Sequence, residues 1–230
     1  GIMVARGDLG AEVPYEYLPS IQDEIVTKCR DAGKPVIVAT HMLESMIEHP
    51  IPTRAEVTDV AHAAMERTDA TMLSGETANG KHPTVAIDSM DRILRAAETQ
   101  LSRYPLEDVG IRNESEARAE SAVSLSKSSN ATAIMVVTRS GQMARLVSKF
   151  RPKVPIIPIV PNESIQRKMQ LLYGAFPLLI SFGEIEDTAH IAISKAKKEG
   201  LVSSGDTVVL VSDTRTKGEA VTSIQIRNIE

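Results

Sequence analysis

Short apolar runs rich in β-branched residues recur along this chain, each followed by a stretch with helical spacing, and this alternation restricts the fold more than any other feature. Strand–helix–strand order sets successive strands side by side and parallel, with helices on the sheet faces, so the expected class is α/β with mostly parallel sheets. In the N-terminal region the expected strands are Ile2–Ala5, Val36–Ala39 and Ala70–Leu73. In the C-terminal region they are Ala133–Val137, Ile156–Val160, Phe176–Ile180 and Thr207–Val211, while Thr222–Ile229 alternates like an edge strand. Leu18, Ile21, Ile25 and Cys29 share one helical face, which Gly33 closes and Pro35 cannot continue. Thr53-Arg54-Ala55-Glu56 is a capping box, and the helix it opens is expected to bury Val57, Val60, Ala61, Ala64 and Met65. Pro83 suits the first turn of a further helix carrying Ala86, Met90, Ile93, Leu94, Ala97 and Leu101.

Periodicity lapses around Pro105 and Gly110, which divides the chain into an N-terminal region of residues 1–101, a linker of residues 102–113 and a C-terminal region of residues 114–230. Three βα units cannot close an eight-stranded barrel of ~250 residues. An open sheet this small also leaves exposed edges. The N-terminal region is therefore either a small doubly wound domain or the tail of a barrel, and periodicity does not choose. Residue 1 is Gly and a strand is already under way at Ile2, so further chain is expected before it.

The aromatic share is 3% with no Trp, so the cores must come from Ile, Val, Leu, Ala and Met. A net charge of −4 argues against a nucleic-acid partner. No apolar run approaches the ~20 residues that span a bilayer, and no membrane partner is expected. The single cysteine, Cys29, excludes an internal disulfide and falls in phase with a buried helix face, so it reads as an inert thiol. A reducing compartment follows: the cytoplasm, or the plastid stroma in a photosynthetic source.

Ligands of parallel α/β folds gather at the C-terminal ends of the strands. Three successive expected strands end there in Asp8, Thr40 and the Ser74/Glu76 pair. Asp8, in Gly7-Asp8-Leu9-Gly10, is a hard oxygen ligand suited to Mg²⁺ with backbone N–H groups beside it for an anion, or else a turn residue capping the next segment. Thr40 either faces the same mouth or caps the strand end. Gly75 to Lys81 mimics the start of a phosphate-binding loop, but His82 stands where Ser or Thr must bind the metal, so that reading fails. In the C-terminal region Thr138-Arg139-Ser140-Gly141-Gln142 follows a strand and opens a helix, which fits either an anion site or an ordinary hydroxyl-capped turn.

Taken together, the blocks Met3 to Gly10, Ala39 to Met46, Pro52 to Val57 and Met72 to Ala78 resemble those of the pyruvate kinase family, in order and over nearly the whole chain. The resemblance implies the last units of a TIM (β/α)8 barrel followed by the family's smaller C-terminal α/β domain. It implies phosphoryl transfer from phosphoenolpyruvate to ADP, giving pyruvate and ATP, with Mg²⁺ or Mn²⁺ and K⁺, in a homotetramer. Carried over by position, Asp8 ligates the metal, and the N–H groups of Gly7 and Asp8 hold the substrate carboxylate. Thr40 contacts the carbon that is protonated, and Ser74 and Glu76 line the pocket through water. The family's catalytic lysine, second metal-binding carboxylate and K⁺ ligands would lie upstream of Gly1, which makes this chain an inactive fragment on its own. Thr138, Arg139, Ser140, Gly141 and Gln142 match the loop that holds a phosphorylated effector. Met143 and the stretch Ser212 to Glu219 depart from members that respond to fructose 1,6-bisphosphate. The other reading of the same features is a non-catalytic α/β regulatory module.

Overall fold

The computed structural model describes residues 1–105, 109–216 and 219–230, with the side chains of residues 185, 213–216 and 219–221 outside the description. The chain divides into two compact units, residues 1–108 and 109–230.

The first unit runs β1 (Ile2–Ala5), α1 (Arg6–Glu12), α2 (Leu18–Asp31), β2 (Val36–Ala39), α3 (Arg54–Met65), β3 (Ala70–Met72), α4 (Gly75–Ala78) and α5 (Pro83–Glu98). Its three strands pair in parallel in the order β1-β2-β3, with Val4 opposite Val38 and Ala39 opposite Met72. Val4, Val36 and Val38 from the strands meet Val26, Val60, Ala86 and Met90 from the helices, with Met42, Leu43 and Met46 packed in from the loop after β2. The capping box forms as expected: Thr53 accepts from the Glu56 N–H, and the Glu56 side chain accepts from the Thr53 N–H. The buried face of α3 is Val60, Ala63 and Ala64, while Val57 is exposed, so the helix is turned by about one position from the expected face. The Gly7–Gly10 segment is not a turn but lies inside α1, which continues directly from β1. The two glycines read as turn signals. Asp8 in the first turn favours the helix, however, and the Val13 N–H closes it on the Leu9 carbonyl.

The second unit runs α6 (Glu114–Ser128), β4 (Ala133–Val137), α7 (Gln142–Lys149), β5 (Ile156–Val160), α8 (Glu163–Met169), β6 (Leu178–Leu179), α9 (Ile185–Lys198), β7 (Thr207–Thr216) and β8 (Glu219–Asn228). The strand order is β6-β5-β4-β7-β8, parallel except for the β7–β8 hairpin. Side chains alternate across the sheet. Ile134, Val136, Ile156, Val160, Val209 and Val211 pack against α6, α7 and α8. Ala133, Met135, Ile157, Ile159, Val208 and Leu210 pack against Ala189, Ala192 and Ala196 of α9. Burial on both faces is why these strands read as unbroken apolar runs. β6 is shorter than the expected Phe176–Ile180, because Pro158 of β5 has no N–H to give to the ladder, although the Phe176 and Ile180 N–H groups still reach the Ile156 and Val160 carbonyls. β7 and β8 are longer than expected, since antiparallel pairing carries the ladder out to Thr216 and Glu219.

The stretch read as a linker is tied down at both ends. Arg67 donates to the carbonyls of Leu101 and Tyr104 in the first unit. In the second unit Lys149 Nζ reaches the Gly110 carbonyl at 3.1 Å, and the Arg112 N–H donates to Glu116 at 2.9 Å. Lys149 and Glu116 form a buried ion pair at 2.8 Å, with side chains only 1% and 9% exposed. The Lys149 ammonium, helped by the Arg112 N–H and opposed by burial, holds the Glu116 carboxyl below its ordinary range. Removing one member of such a pair strands the other charge. Lys149→Met is therefore expected to destabilise the second unit by about 3–5 kcal/mol, and Lys149→Met with Glu116→Gln by clearly less. The urea dependence of amide exchange in β4 measures both.

Candidate active site and anion pocket

At the C-terminal ends of β1 and β2 the chain makes a strained turn. Thr40 and His41 both adopt positive φ, +67° and +54°. For a β-branched residue this is an outlier that the surroundings must enforce, at a cost of about 1–3 kcal/mol. The enforcing groups are visible. The Thr40 hydroxyl donates to the Ala39 carbonyl at 2.6 Å and accepts the Gly7 N–H at 2.9 Å. Arg6 donates to the Thr40 carbonyl from Nη2 at 2.6 Å and from Nε at 3.1 Å. Thr40 and Gly7 are thus brought together, with Asp8 adjacent and exposed.

Glu76 sits elsewhere than expected. It is 1% exposed, and its two oxygens accept the N–H groups of Leu43 at 3.0 Å and Ser74 at 2.8 Å. It ties the loop after β3 to the loop after β2 and does not line a solvated pocket. Ser74 is half-buried at the N-cap of α4 with no cap bond from its side chain. The approach of these loops is close enough that a Cβ on Gly75 would lie 2.8 Å from Ile47 Cδ1. Arg6 and its partner Asp59, joined at 2.6 Å, were assigned no role from sequence. The only signal was that Arg6 belongs to the same block as Asp8.

In the second unit a cavity of about 270 Å³ lies at the start of α7, lined by Ser115, Arg118, Thr138, Arg139, Ser140 and Gln142 among others. Gly141 is the N-cap of α7 at φ +81°, and a Cβ there would strike Met169 Cε at 2.5 Å, so this position needs glycine. The hydroxyls of the turn are partly engaged: Thr138 accepts the Gly141 N–H at 3.0 Å, and Ser140 accepts the Gln142 N–H at 3.4 Å. Arg139 stacks over Phe182 at 5.4 Å, and Arg118 donates to Ser115 and Thr222. Two guanidinium groups therefore line one small polar cavity. Met143 contributes an apolar wall to it. In the stretch Ser212 to Glu219, Lys217 and Gly218 lie outside the described residues.

The barrel-domain model of pyruvate kinase matches residues 1–87, and the alpha/beta-domain model of the same enzyme matches residues 116–225. This chain belongs to the pyruvate kinase family. It is 40% identical over 229 residues to pyruvate kinase from Clostridium acetobutylicum, covering 97% of this chain and 48% of that protein. Pyruvate kinase isozyme A of Ricinus communis, a chloroplastic protein, is 39% identical over 243 residues, covering 100% of this chain and 40% of that one. Cryptosporidium parvum pyruvate kinase in complex with ADP superposes with a TM-score of 0.88 at 38% identity, over 100% of this chain and 48% of that chain. The chain thus spans about half the length, or less, of the curated relatives it matches. The three-stranded sheet is part of a barrel domain, which decides against a small doubly wound domain.

Two ionisable groups beside the Thr40 loop set opposite pH limits on the first unit. Burial pushes the Glu56 carboxyl up. The Ser45 hydroxyl and N–H at 2.6 and 2.7 Å, with the Thr53 N–H and hydroxyl, outweigh it and hold the group below its ordinary 4.5. That contribution is complete above pH 4.5 and lost as pH falls through the folded value. His62 is pushed above its ordinary 6.5, first by its bond to Glu66 at 3.2 Å and against its own desolvation. Its contribution is complete below pH 6.5 and lost as pH rises through the folded value, and half-exposure keeps it small. The urea midpoint of the first unit should accordingly be flat between these limits and decline on both sides. Glu56→Gln should flatten the acid limb, and His62→Gln should flatten the decline just above pH 6.5.

Proposed function

We propose that this chain supplies the substrate-protonating side of a pyruvate kinase active site, in a protein that transfers the phosphoryl group of phosphoenolpyruvate to ADP. The bond between Thr40 Oγ1 and the Gly7 N–H, with Asp8 next to it, carries this reading. Phosphoryl transfer leaves pyruvate as its enolate, and one proton delivered to the terminal carbon completes the reaction. Thr40 is the hydroxyl positioned for that delivery: its proton leaves the Ala39 carbonyl and passes to the carbon, and water returns a proton to Oγ1. The substrate carboxylate would take the N–H groups of Gly7 and Asp8, displacing or sharing the bond Gly7 now makes to Thr40. Glu76 shapes the site from beneath, because it fixes the loops that carry Leu43 and Ser74.

Asp8 is suited to a divalent cation. It is an exposed carboxylate, and Mg²⁺ takes one or two carboxylates with the remaining positions filled by water and substrate phosphate. When bound, the ion neutralises charge on the phosphoryl oxygens. No residue of this chain is assigned to K⁺. Half-exposed Ile2 and Met3 on β1 offer an apolar surface for further barrel strands, and the 230 residues alone are expected to show no turnover. Family members of bacterial and plastid origin make the cytoplasm or the plastid stroma the proposed compartment, and the family resemblance makes a homotetramer the proposed assembly of the whole protein.

Asp8→Asn keeps the shape and removes the charge. In a family-length protein carrying this sequence it should lower turnover at least ~100-fold and weaken the Mg²⁺ dependence, the effect of losing a directly acting electrostatic group. A normal rate with an unchanged Mg²⁺ requirement would favour the non-catalytic module.

The pocket at the start of α7 is proposed to hold a phosphorylated metabolite through Arg118, Arg139, Thr138 and Ser140, with the N–H groups of Gly141 and Gln142 nearby. The turn hydroxyls already serve as caps and Met143 adds no polar group, so tight fructose 1,6-bisphosphate binding is not expected. Calorimetric titration of the chain with a panel of sugar phosphates should find binding by some member and no micromolar binding by fructose 1,6-bisphosphate. Arg118→Met should weaken whatever binds.

A further inference from the structure

We infer that Asp59, acting through Arg6, is a positioning residue that holds Thr40 in its left-handed conformation and so keeps the Thr40 hydroxyl aimed at the reacting carbon. The inference rests on the proposed role of Thr40 and extends it to residues on two other elements.

A threonine at φ +67° followed by a histidine at φ +54° does not persist unaided. The Thr40 side chain alone cannot enforce it. Its bonds to the Ala39 carbonyl and the Gly7 N–H are the ones that substrate binding and proton delivery must disturb. The carbonyl of Thr40, in contrast, is gripped by a side chain that makes neither of those two bonds. Arg6 directs Nη2 and Nε at it, shares Nε with the Ala39 carbonyl at 3.3 Å, and places Nη2 2.9 Å from Met42 Sδ. This leaves Nη1 as the one remaining corner of the fork, and Nη1 donates to Asp59 Oδ1 at 2.6 Å. A guanidinium is planar, so fixing that corner fixes the direction of the other donors.

Asp59 is itself well anchored. It lies on α3, whose start is locked by the Thr53–Glu56 capping box and by the Ser45 bonds to Glu56. A rigid helix therefore sets the position of one carboxylate, the carboxylate orients a guanidinium, and the guanidinium fixes the carbonyl of the strained residue. The Arg6 side chain is 14% exposed and that of Asp59 33%. This separates the pair from the exposed i,i+4 pairs such as Lys28–Glu24, which orient nothing beyond themselves.

The test compares Asp59→Asn, Thr40→Val and the double variant in a family-length protein carrying this sequence. Loss of alignment at the reacting atoms can cost about 100-fold, so Asp59→Asn is expected to lower kcat by roughly 10- to 100-fold while KM for ADP stays unchanged. Because Asp59 acts through Thr40, adding Asp59→Asn to Thr40→Val should lower kcat no further. Losses that multiply in the double variant overturn the inference, as does a normal kcat in Asp59→Asn alone. Thr40→Val with full turnover would overturn the reading of Thr40 instead, so the two failures are distinguishable. A measurement independent of turnover is the exchange rate of the Gly7 amide in the 230-residue chain, protected here by Thr40 Oγ1. It should rise in Asp59→Asn and rise less in Asp59→Glu, which keeps the charge, and an unchanged rate in both overturns the inference.

Discussion

Carboxylates that accept backbone N–H groups hold the functional loops of this protein in place. Glu76 accepts from Leu43 and Ser74, Glu56 from Ser45 and Thr53, and Glu116 from Arg112. A backbone N–H buried without a partner is costly, and a charge-assisted bond to a carboxylate is stronger than one to a neutral oxygen. Each acidic side chain therefore sets the path of a loop that no regular ladder reaches. The strands fix where the loops begin, and these bonds fix where they go.

In the first unit this scaffolding converges on Thr40. Glu76 lies beneath the loop after β2, Glu56 braces it from the start of α3, and Arg6 holds its first residue by the carbonyl. The left-handed backbone at Thr40 and His41 is the strain that the scaffold supports. Strain of this kind concentrates where a side chain must point in one direction for function. That direction places the Thr40 hydroxyl against the Gly7 N–H and one residue from Asp8.

The second unit is organised differently. Its sheet is covered on both faces along β4, β5 and the first half of β7, where almost every described residue is buried. Its polar cavity lies instead at the end of β4, where the turn into α7 sets two hydroxyls and two arginines around a small space. Lys149, at the other end of α7, is spent on Glu116 and on the Gly110 carbonyl, which joins the helix to the segment entering the unit.

Much of the fold was legible in the residues. Apolar runs fixed the centres of the strands, the capping box at Thr53–Glu56 marked the start of α3, and Pro83 opened α5. These signals are local, and each depends on residues within a few positions of one another. Asp8, Thr40 and Thr138 could be nominated for the same reason, since each follows a recognisable strand. What local signals could not give were contacts between positions far apart in the chain. Arg6 and Asp59 are separated by 53 residues, Thr40 and Gly7 by 33, and Glu76 and Leu43 by 33. Glu76 looked like a pocket residue because it follows the third strand as Asp8 and Thr40 follow the first two, and only the packed loops show its oxygens bonded to backbone N–H groups. The shortened β6 and the helical Gly7–Gly10 segment were decided likewise, by which neighbour offered a donor and by how β1 hands the chain to α1. Residue spacing determined which elements form, because secondary structure answers to nearby side chains. The tertiary structure alone decided which polar groups meet, because a hydrogen bond needs its partner within about 3 Å, whatever the distance along the chain.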